Sequence, residues 1–518
     1  MDINRLTLEQ KIGQLFLVSF DGTQITPAIE NHIRQHYLGN FIYFAQNLTD
    51  YKSIRQLSDS IQAITREHCG VPAFISTDQE GGMVARAYSG ATHFPSNMAI
   101  TAAGMAGQLE LLGGMVGKEL GALGINVNHA PVVDINNNPA NPVIGIRSYS
   151  DDPKVVSDMA VSYIKGLQKN KVMANIKHFP GHGDTNIDSH LAMPTIGHGM
   201  DRLDATELAP FKAAIQGGAD SVMTAHIVFK ALDALPATLS HKVLTGLLRE
   251  KMGFEGLIMT DSMSMDAIAH NYTSEEGCVM AINAGADLLC MRHTPEMQSR
   301  CYHRVLDAAK TGRISIETVN AAVGRILSYK QKYGLTDAPP APQQIYPTHE
   351  TLADEISTKS ITLVKDNRQL LPLKGKKIFA ISPPPVRANI QDDTIVKLEA
   401  FSQTAAKVFG CEYAEIAVDP SADEINAVIQ SAADYEIILF ASYNAIQYPG
   451  QVRLFEALKA AGKQVVLVSL RVPYDILKMP NADAYIAAYE YTNRSVKNTI
   501  QALAGELDFK GVLPVSNI

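Results

Sequence analysis

The chain has 518 residues, a formal net charge of -8, 46% hydrophobic and 19% charged residues, and five cysteines with no CxxC pair. This composition excludes a disordered chain, a basic nucleic-acid-binding protein, and a span of the ~18 apolar residues a membrane helix needs. It also argues against a disulfide framework or a zinc ribbon and for reduced, buried thiols.

At the N-terminus, residues 1–9 are polar and charged. The run Ile12–Phe20 is short, broken by Gln14, and followed by no small-residue cleavage site. A cytoplasmic protein is expected, with a leader removed before residue 1 as the alternative. From residue 10 to 292, short apolar runs alternate with longer amphipathic stretches. The runs are Ile12–Ser19, Gly39–Phe44, Ala73–Thr77, Ile125–Asn128, Val172–Ile176, Ser221–Thr224, Leu257–Thr260 and Ala286–Cys290, with segments such as Tyr51–Glu67, Val155–Lys169 and Thr206–Gln216 between them. Strand-then-helix repeated eight times predicts a (β/α)8 TIM barrel, which needs about 250 residues. A helix over Ile316–Tyr333, closed by Gly334, ends this part. Residues 338–347, APPAPQQIYP, contain four prolines and read as an extended linker. Beyond it, apolar runs at Ile361–Val364, Lys377–Ile381, Ile437–Ala441, Val465–Leu470 and Ala484–Ala488 alternate with helical segments such as Ser421–Ala433 and Val452–Ala461. They predict a mainly parallel, doubly covered sheet. No GxGxxG follows a strand, so a dinucleotide site is not expected. The organisation is therefore α/β: a catalytic barrel over 1–337, a Pro-rich linker over 338–350, and a smaller α/β sandwich domain over 351–518.

Barrel enzymes carry their chemistry at the C-terminal ends of the strands. The residues there are Asp78, His129, Lys177 with His178, His226, Asp261 and Arg292, a far more ionisable set than random loop positions supply. The densest segment, KHFPGHGDTNIDSH over Lys177–His190, holds three histidines, two aspartates and a lysine. It has three readings: a metal site on His178, His182 and His190; histidines satisfied by loop backbone; or acid/base catalysis. The His spacings do not match a helical HExxH, and the glycines and proline forbid a helix. Asp188 and His190, two residues apart, suit a carboxylate that fixes one imidazole tautomer and presents the other nitrogen to a substrate. Asp261 ends an otherwise apolar strand in MTDSMSM, as a nucleophile or as an ion-pair partner. In STDQEGGMVAR, Asp78 and the planar donors of Arg86 suit vicinal hydroxyls; Arg147 stands in IGIRSYS. Both arginines also read as surface ion-pair partners.

KHFPGHGDTNIDSH, with DQEGG, IGIRSYSDDP and MTDSMSM, resembles glycoside hydrolase family 3, in its β-N-acetylglucosaminidase branch. The resemblance covers the barrel and extends through ITLVKDNRQLLPL and the closing GVLPVS. Ile146, before Arg147, departs from the polar residue relatives often carry. The resemblance implies a retaining exo-acting enzyme that releases terminal non-reducing N-acetylglucosamine from muropeptide or chitin-type glycosides. Asp261 would be the nucleophile, His190 the general acid/base and Asp188 its orienter. Asp78, Arg86, Arg147, Lys177 and His178 would hold the sugar. No metal or cofactor is implied, and the partner is a carbohydrate, with no nucleic acid or membrane; the oligomeric state is open.

Glycoside cleavage usually employs two carboxyl groups. Here an imidazole, with an ordinary pKa near 6.5, replaces one of them. A neutral acid/base does not repel phosphate, so a phosphorylase is the nearest alternative. A family 3 β-glucosidase borrowing Glu490 from the second domain is another, and a sugar-binding protein or a metal-dependent hydrolase on the same barrel are the remaining readings. The second domain either shapes outer substrate sites, stabilises the barrel or mediates dimers.

Overall fold

A computed structural model of the chain describes residues 2–188, 192–335, 348–387 and 398–518. Eight short strands, β1 (Phe16–Val18), β2 (Asn40–Tyr43), β3 (Phe74–Thr77), β4 (Val127–Asn128), β5 (Met173–Phe179), β6 (Ser221–Thr224), β7 (Leu257–Thr260) and β8 (Leu289–Met291), pair in parallel. Their spatial order is β7-β6-β5-β4-β3-β2-β1-β8, and a parallel bridge between Met259 and Leu288, with Thr260 N donating to Leu288 O at 2.9 Å, closes the ring. The strands are buried along their whole length, which is why they read as apolar runs rather than as alternations.

The intervening helices follow their local signals. Tyr51–Cys69 begins at Asp50, whose carboxylate accepts from the N–H groups of Lys52 and Ser53, both at 3.1 Å, and stops at Gly70 in the left-handed region (φ 71°). The first apolar run behaves differently from the expectation. Leu8–Gln14 is a helix, held by a capping box in which Thr7 and Gln10 exchange side-chain and backbone hydrogen bonds, and only Phe16–Val18 of the run enters the sheet.

The second sheet comprises β9 (Thr362–Asp366), β10 (Ile378–Ser382), β11 (Glu412–Glu415), β12 (Ile437–Ser442), β13 (Gln464–Ser469) and β14 (Ala484–Ala487). Its order is β9-β14-β13-β12-β10-β11, with only β9 antiparallel. Both faces are apolar. Along β12, Leu439 and Ala441 pack into one cluster while Ile438 and Phe440 pack into another. The edge strand β11, sequence EYAE, has no apolar signal and is largely exposed, as suits an unpaired edge.

The two halves share one core. Met83 and Ile146, from turns in the barrel's connections, and Met98, Ala99 and Ala102, from the helix Asn97–Ala102, belong to the same apolar cluster as Leu439, Val468, Tyr489 and Tyr491 of the second half. Gly145 shows how close this contact is: a Cβ added there would stand 2.9 Å from Val472 Cγ1, and its φ of +46° already favours glycine. Polar bonds reinforce it, including Asn136 Nδ2 to Tyr474 Oη at 2.8 Å and Ser96 N to Glu490 Oε2 at 2.8 Å. Of the expected linker, residues 338–347 lie outside the described residues. No described helix is long and apolar enough to cross a membrane.

Candidate active site

A cavity of about 330 Å³ opens at the C-terminal mouth of the barrel, lined by Asp78, Arg147, Lys177, His178, Asp261 and Arg292 together with Phe44, Met223 and Cys290. Each strand delivers its residue differently. Asp78 and Asp261 directly follow β3 and β7. Lys177 and His178 are still within β5: the register of β5 against β6 slips between Ile176 and Phe179, and both side chains reach the cavity. Arg147 arrives on a short turn, Gly145–Arg147, in the long β4 connection.

The polar wall is one ion-pair network. Lys177 Nζ bridges Asp78 Oδ1 at 2.7 Å and Glu80 Oε1 at 2.6 Å. Arg147 grips Glu80 with two parallel bonds, Nε to Oε2 and Nη2 to Oε1, both 2.8 Å. Arg86 Nε lies 3.8 Å from Asp78 Oδ2, behind the cavity lining, and its guanidinium sits over the Phe44 ring at 5.7 Å. Both arginines are buried, Arg86 to 3% and Arg147 to 5% exposure, which removes the surface ion-pair reading. His178 is oriented from behind: its Nδ1 pairs with Asp134 Oδ2 at 2.7 Å, while Asp134 Oδ1 accepts from His182 N at 2.7 Å.

Electrostatics follow from this packing. Burial alone would raise the Asp78 carboxyl, but Lys177 and Arg86 outweigh it and hold it far below the usual range. Glu80 is likewise opposed by burial yet drawn down to about 2 by Arg147 and Lys177. Burial works against the Lys177 ammonium, and Asp78 and Glu80 reverse the effect and raise it. The wall therefore stays fully ionised at neutral pH. Burial pulls His129 down to about 4, so it is neutral. Its Nε2 donates to Ser76 Oγ (2.9 Å), because that hydroxyl gives its own proton to Phe41 O, and its Nδ1 accepts from Asn175 Nδ2 (2.8 Å).

The Asp261 Oδ1 accepts from the Ser262 N–H at 2.7 Å. Arg292 stacks over Phe44 at 4.6 Å. Two strand-end residues lie beneath the mouth rather than in it: His129, and His226, whose Nε2 donates to Ser262 O at 3.0 Å. Asp188 is half-buried on the loop after β5. His190 lies outside the described residues. Of the histidines weighed for a metal, His178 is engaged by Asp134, and His182 Nδ1 by Thr185 Oγ1 at 2.9 Å. Glu490, the alternative acid, does not line the cavity: its carboxylate accepts from Ser96 N and from Thr492 Oγ1 at 3.0 Å, and burial pushes it up to about 7.

Sequence reasoning missed Glu80 and Asp134. Glu80 sits two residues after Asp78 in the quoted DQEGG, and Asp134 closes the apolar run after His129 in the same way that Asp261 closes its own. Both carried a usable signal.

Comparison with known proteins agrees with this architecture. The profile of the Glycosyl hydrolase family 3 N terminal domain matches residues 7–329. A protein named Beta-hexosaminidase A from Pseudoalteromonas piscicida is 31% identical, over 94% of this chain and 91% of its own length. A Beta-N-acetylglucosaminidase/beta-glucosidase from Cellulomonas fimi is 27% identical, over 86% of this chain and 84% of its own. The solved structure of a glycoside hydrolase family 3 beta-N-acetylglucosaminidase from Paenibacillus sp. str. FPU-7 superposes with a TM-score of 0.92 at 38% identity, covering 99% of both chains.

Proposed function

Because the chain belongs to family 3 of the glycosyl hydrolases and is thus a glycoside hydrolase, we propose that it is a retaining, exo-acting β-N-acetylglucosaminidase. It releases terminal non-reducing N-acetylglucosamine from cell-wall muropeptide or chitin-type glycosides. The observation that supports this most is the cavity itself: the Asp261 carboxylate shares about 330 Å³ with a wall of ionised Asp78, Lys177 and Arg147. That volume falls in the range of small-molecule pockets and accommodates a single sugar ring.

In this mechanism Asp78, Lys177, Arg147 and His178 fix the hydroxyls and the ring, and Arg86, behind the lining, acts through Asp78 rather than by direct contact. Asp261 attacks the anomeric carbon as the bond to the leaving oxygen breaks, and His190 gives that oxygen its proton. The glycosyl–aspartate ester is then opened by water, whose proton returns to His190, and the sugar leaves with retained configuration. Asp188 orients the imidazole. The buried, fully bonded Glu490 favours this dyad over a borrowed carboxylate.

The decisive assay compares aryl N-acetyl-β-glucosaminide with aryl β-glucoside, with and without phosphate. Preferential hydrolysis of the first supports the proposal. Sugar 1-phosphate as the main product would make the enzyme a phosphorylase, equal or greater rates on the glucoside would make it a β-glucosidase, and binding of the sugar without turnover would make it a binding protein.

A further inference from the structure

We infer that Asp184, His198 and Glu207 form a site for one divalent transition-metal ion of the zinc class, which pins the loop after β5 to the chain that follows it. One ring nitrogen of His198 and one carboxylate oxygen each of Asp184 and Glu207 lie within 4.8 Å of one another. The three come from separate pieces of the excursion between β5 and β6: the loop that carries Asp188, the turn before the helix Met200–Ala205, and the turn after it. Their irregular spacing is invisible to any sequence pattern.

The observation that points to a ligand is Glu207. Its side chain is 2% exposed, and its Oε1 is held by Asn137 Nδ2 at 2.9 Å and by Arg202 Nη2 at 3.3 Å. Its Oε2 is buried and has no hydrogen-bond partner. Buried carboxylate oxygens are almost always bonded, because an unpaired one forfeits its hydration for nothing. Asn137 and Arg202 fix the carboxylate from one side, as outer partners of metal-binding carboxylates do, and leave the other oxygen for a cation.

The remaining ligands are adjustable. Asp184 and His198 are partly exposed and bond to each other, Nε2 to Oδ2, at 2.5 Å. Tetrahedral ligands at about 2.0–2.2 Å stand roughly 3.4 Å apart, so the bonded Asp184–His198 pair must open by about 1 Å while the wider spacing to Glu207 closes by a similar amount, which rotation of these two side chains supplies. One imidazole with two carboxylates suits zinc or a neighbouring first-row ion better than calcium or magnesium, which prefer all-oxygen shells. Water completes the shell. None of the three ligands is a residue to which the catalytic proposal assigns a role.

Calorimetry on the full chain, stripped with chelator and titrated with zinc chloride at pH 7, tests the site. The wild type is expected to bind one equivalent and to melt at a higher temperature when loaded. H198A and D184N, both at partly exposed positions, should each weaken binding at least tenfold and lose the thermal shift, whereas H190A should keep both. The inference is overturned if the wild type binds no equivalent, if H198A and D184N bind as tightly as the wild type, or if H190A abolishes binding, which would move the ion to the catalytic loop.

Discussion

Replacing Glu80 with Gln removes the charge that joins Arg147 to Lys177 without removing bulk. Both cations are almost fully buried, 4% and 3% exposed, so the variant strips each of a directly bonded carboxylate while Lys177 keeps its pair with Asp78. A carboxyl drawn from its ordinary 4.5 to about 2 contributes, at about 1.4 kcal/mol per pH unit, roughly 3 kcal/mol at neutral pH. That agrees with the ~3–5 kcal/mol typical of breaking one partner out of a buried pair. The folded-state value is depressed, so this stability is complete above pH 4.5 and drains away as the pH falls toward 2. Urea unfolding of wild type and E80Q should therefore differ by about 3 kcal/mol at pH 7, and the gap should narrow by about 2 kcal/mol by pH 3. Sugar affinity should fall with it, because Arg147 and Lys177 lose their common anchor. A difference below about 0.5 kcal/mol at pH 7, or one that does not change with pH, would refute the network as the source of order in the wall.

Asp261→Asn should abolish turnover while still binding N-acetylglucosamine, measured by calorimetry beside a rate assay. His190→Ala should cost on the order of 10²- to 10⁴-fold on substrates whose leaving group needs a proton and far less on an activated aryl glycoside; equal losses on both would remove His190 from the role. Asp134→Asn puts an amide donor beside the His178 ring and should raise KM about tenfold, roughly 1.4 kcal/mol, with a smaller change in kcat; an unchanged KM would separate His178 from the sugar. Burial pushes Asp475 up to about 7, although Ser442 Oγ and Ala445 N donate to it. Because a raised carboxyl costs stability progressively between pH 3.8 and 7, Asp475→Asn should gain on wild type across that window by up to about 4 kcal/mol; parallel stability curves would contradict it.

Much of the fold is legible in the sequence because a parallel strand buried on both faces is an apolar run between turns. β6 and β7 begin and end where their runs do. The signal fails where burial is polar. β5 extends through Lys177 and His178 to Phe179, because Asp78, Glu80 and Asp134 compensate charges that pattern reading treats as the end of a strand. It fails also at the edge, where β11 has no core to face. In the site, Asp78, Lys177, His178 and Asp261, singled out at strand ends, all line the cavity, since the direction of the strands brings their C-terminal ends to one mouth. The pairing of Glu80 with Arg147 spans 67 residues of sequence and is a tertiary fact that no local spacing encodes.

The apolar seam between the halves makes the barrel-mouth cavity a joint product. A fragment ending after the barrel would expose Met83, Met98 and Ile146 to water and free the turn that carries Arg147 from its backing at Val472. Asp261, the proposed nucleophile, follows β7 and would survive that excision; the grip proposed for the sugar hydroxyls would slacken. On the proposed mechanism, changes in the distant half are thus transmitted to how tightly the ring is gripped rather than to the chemistry performed on it.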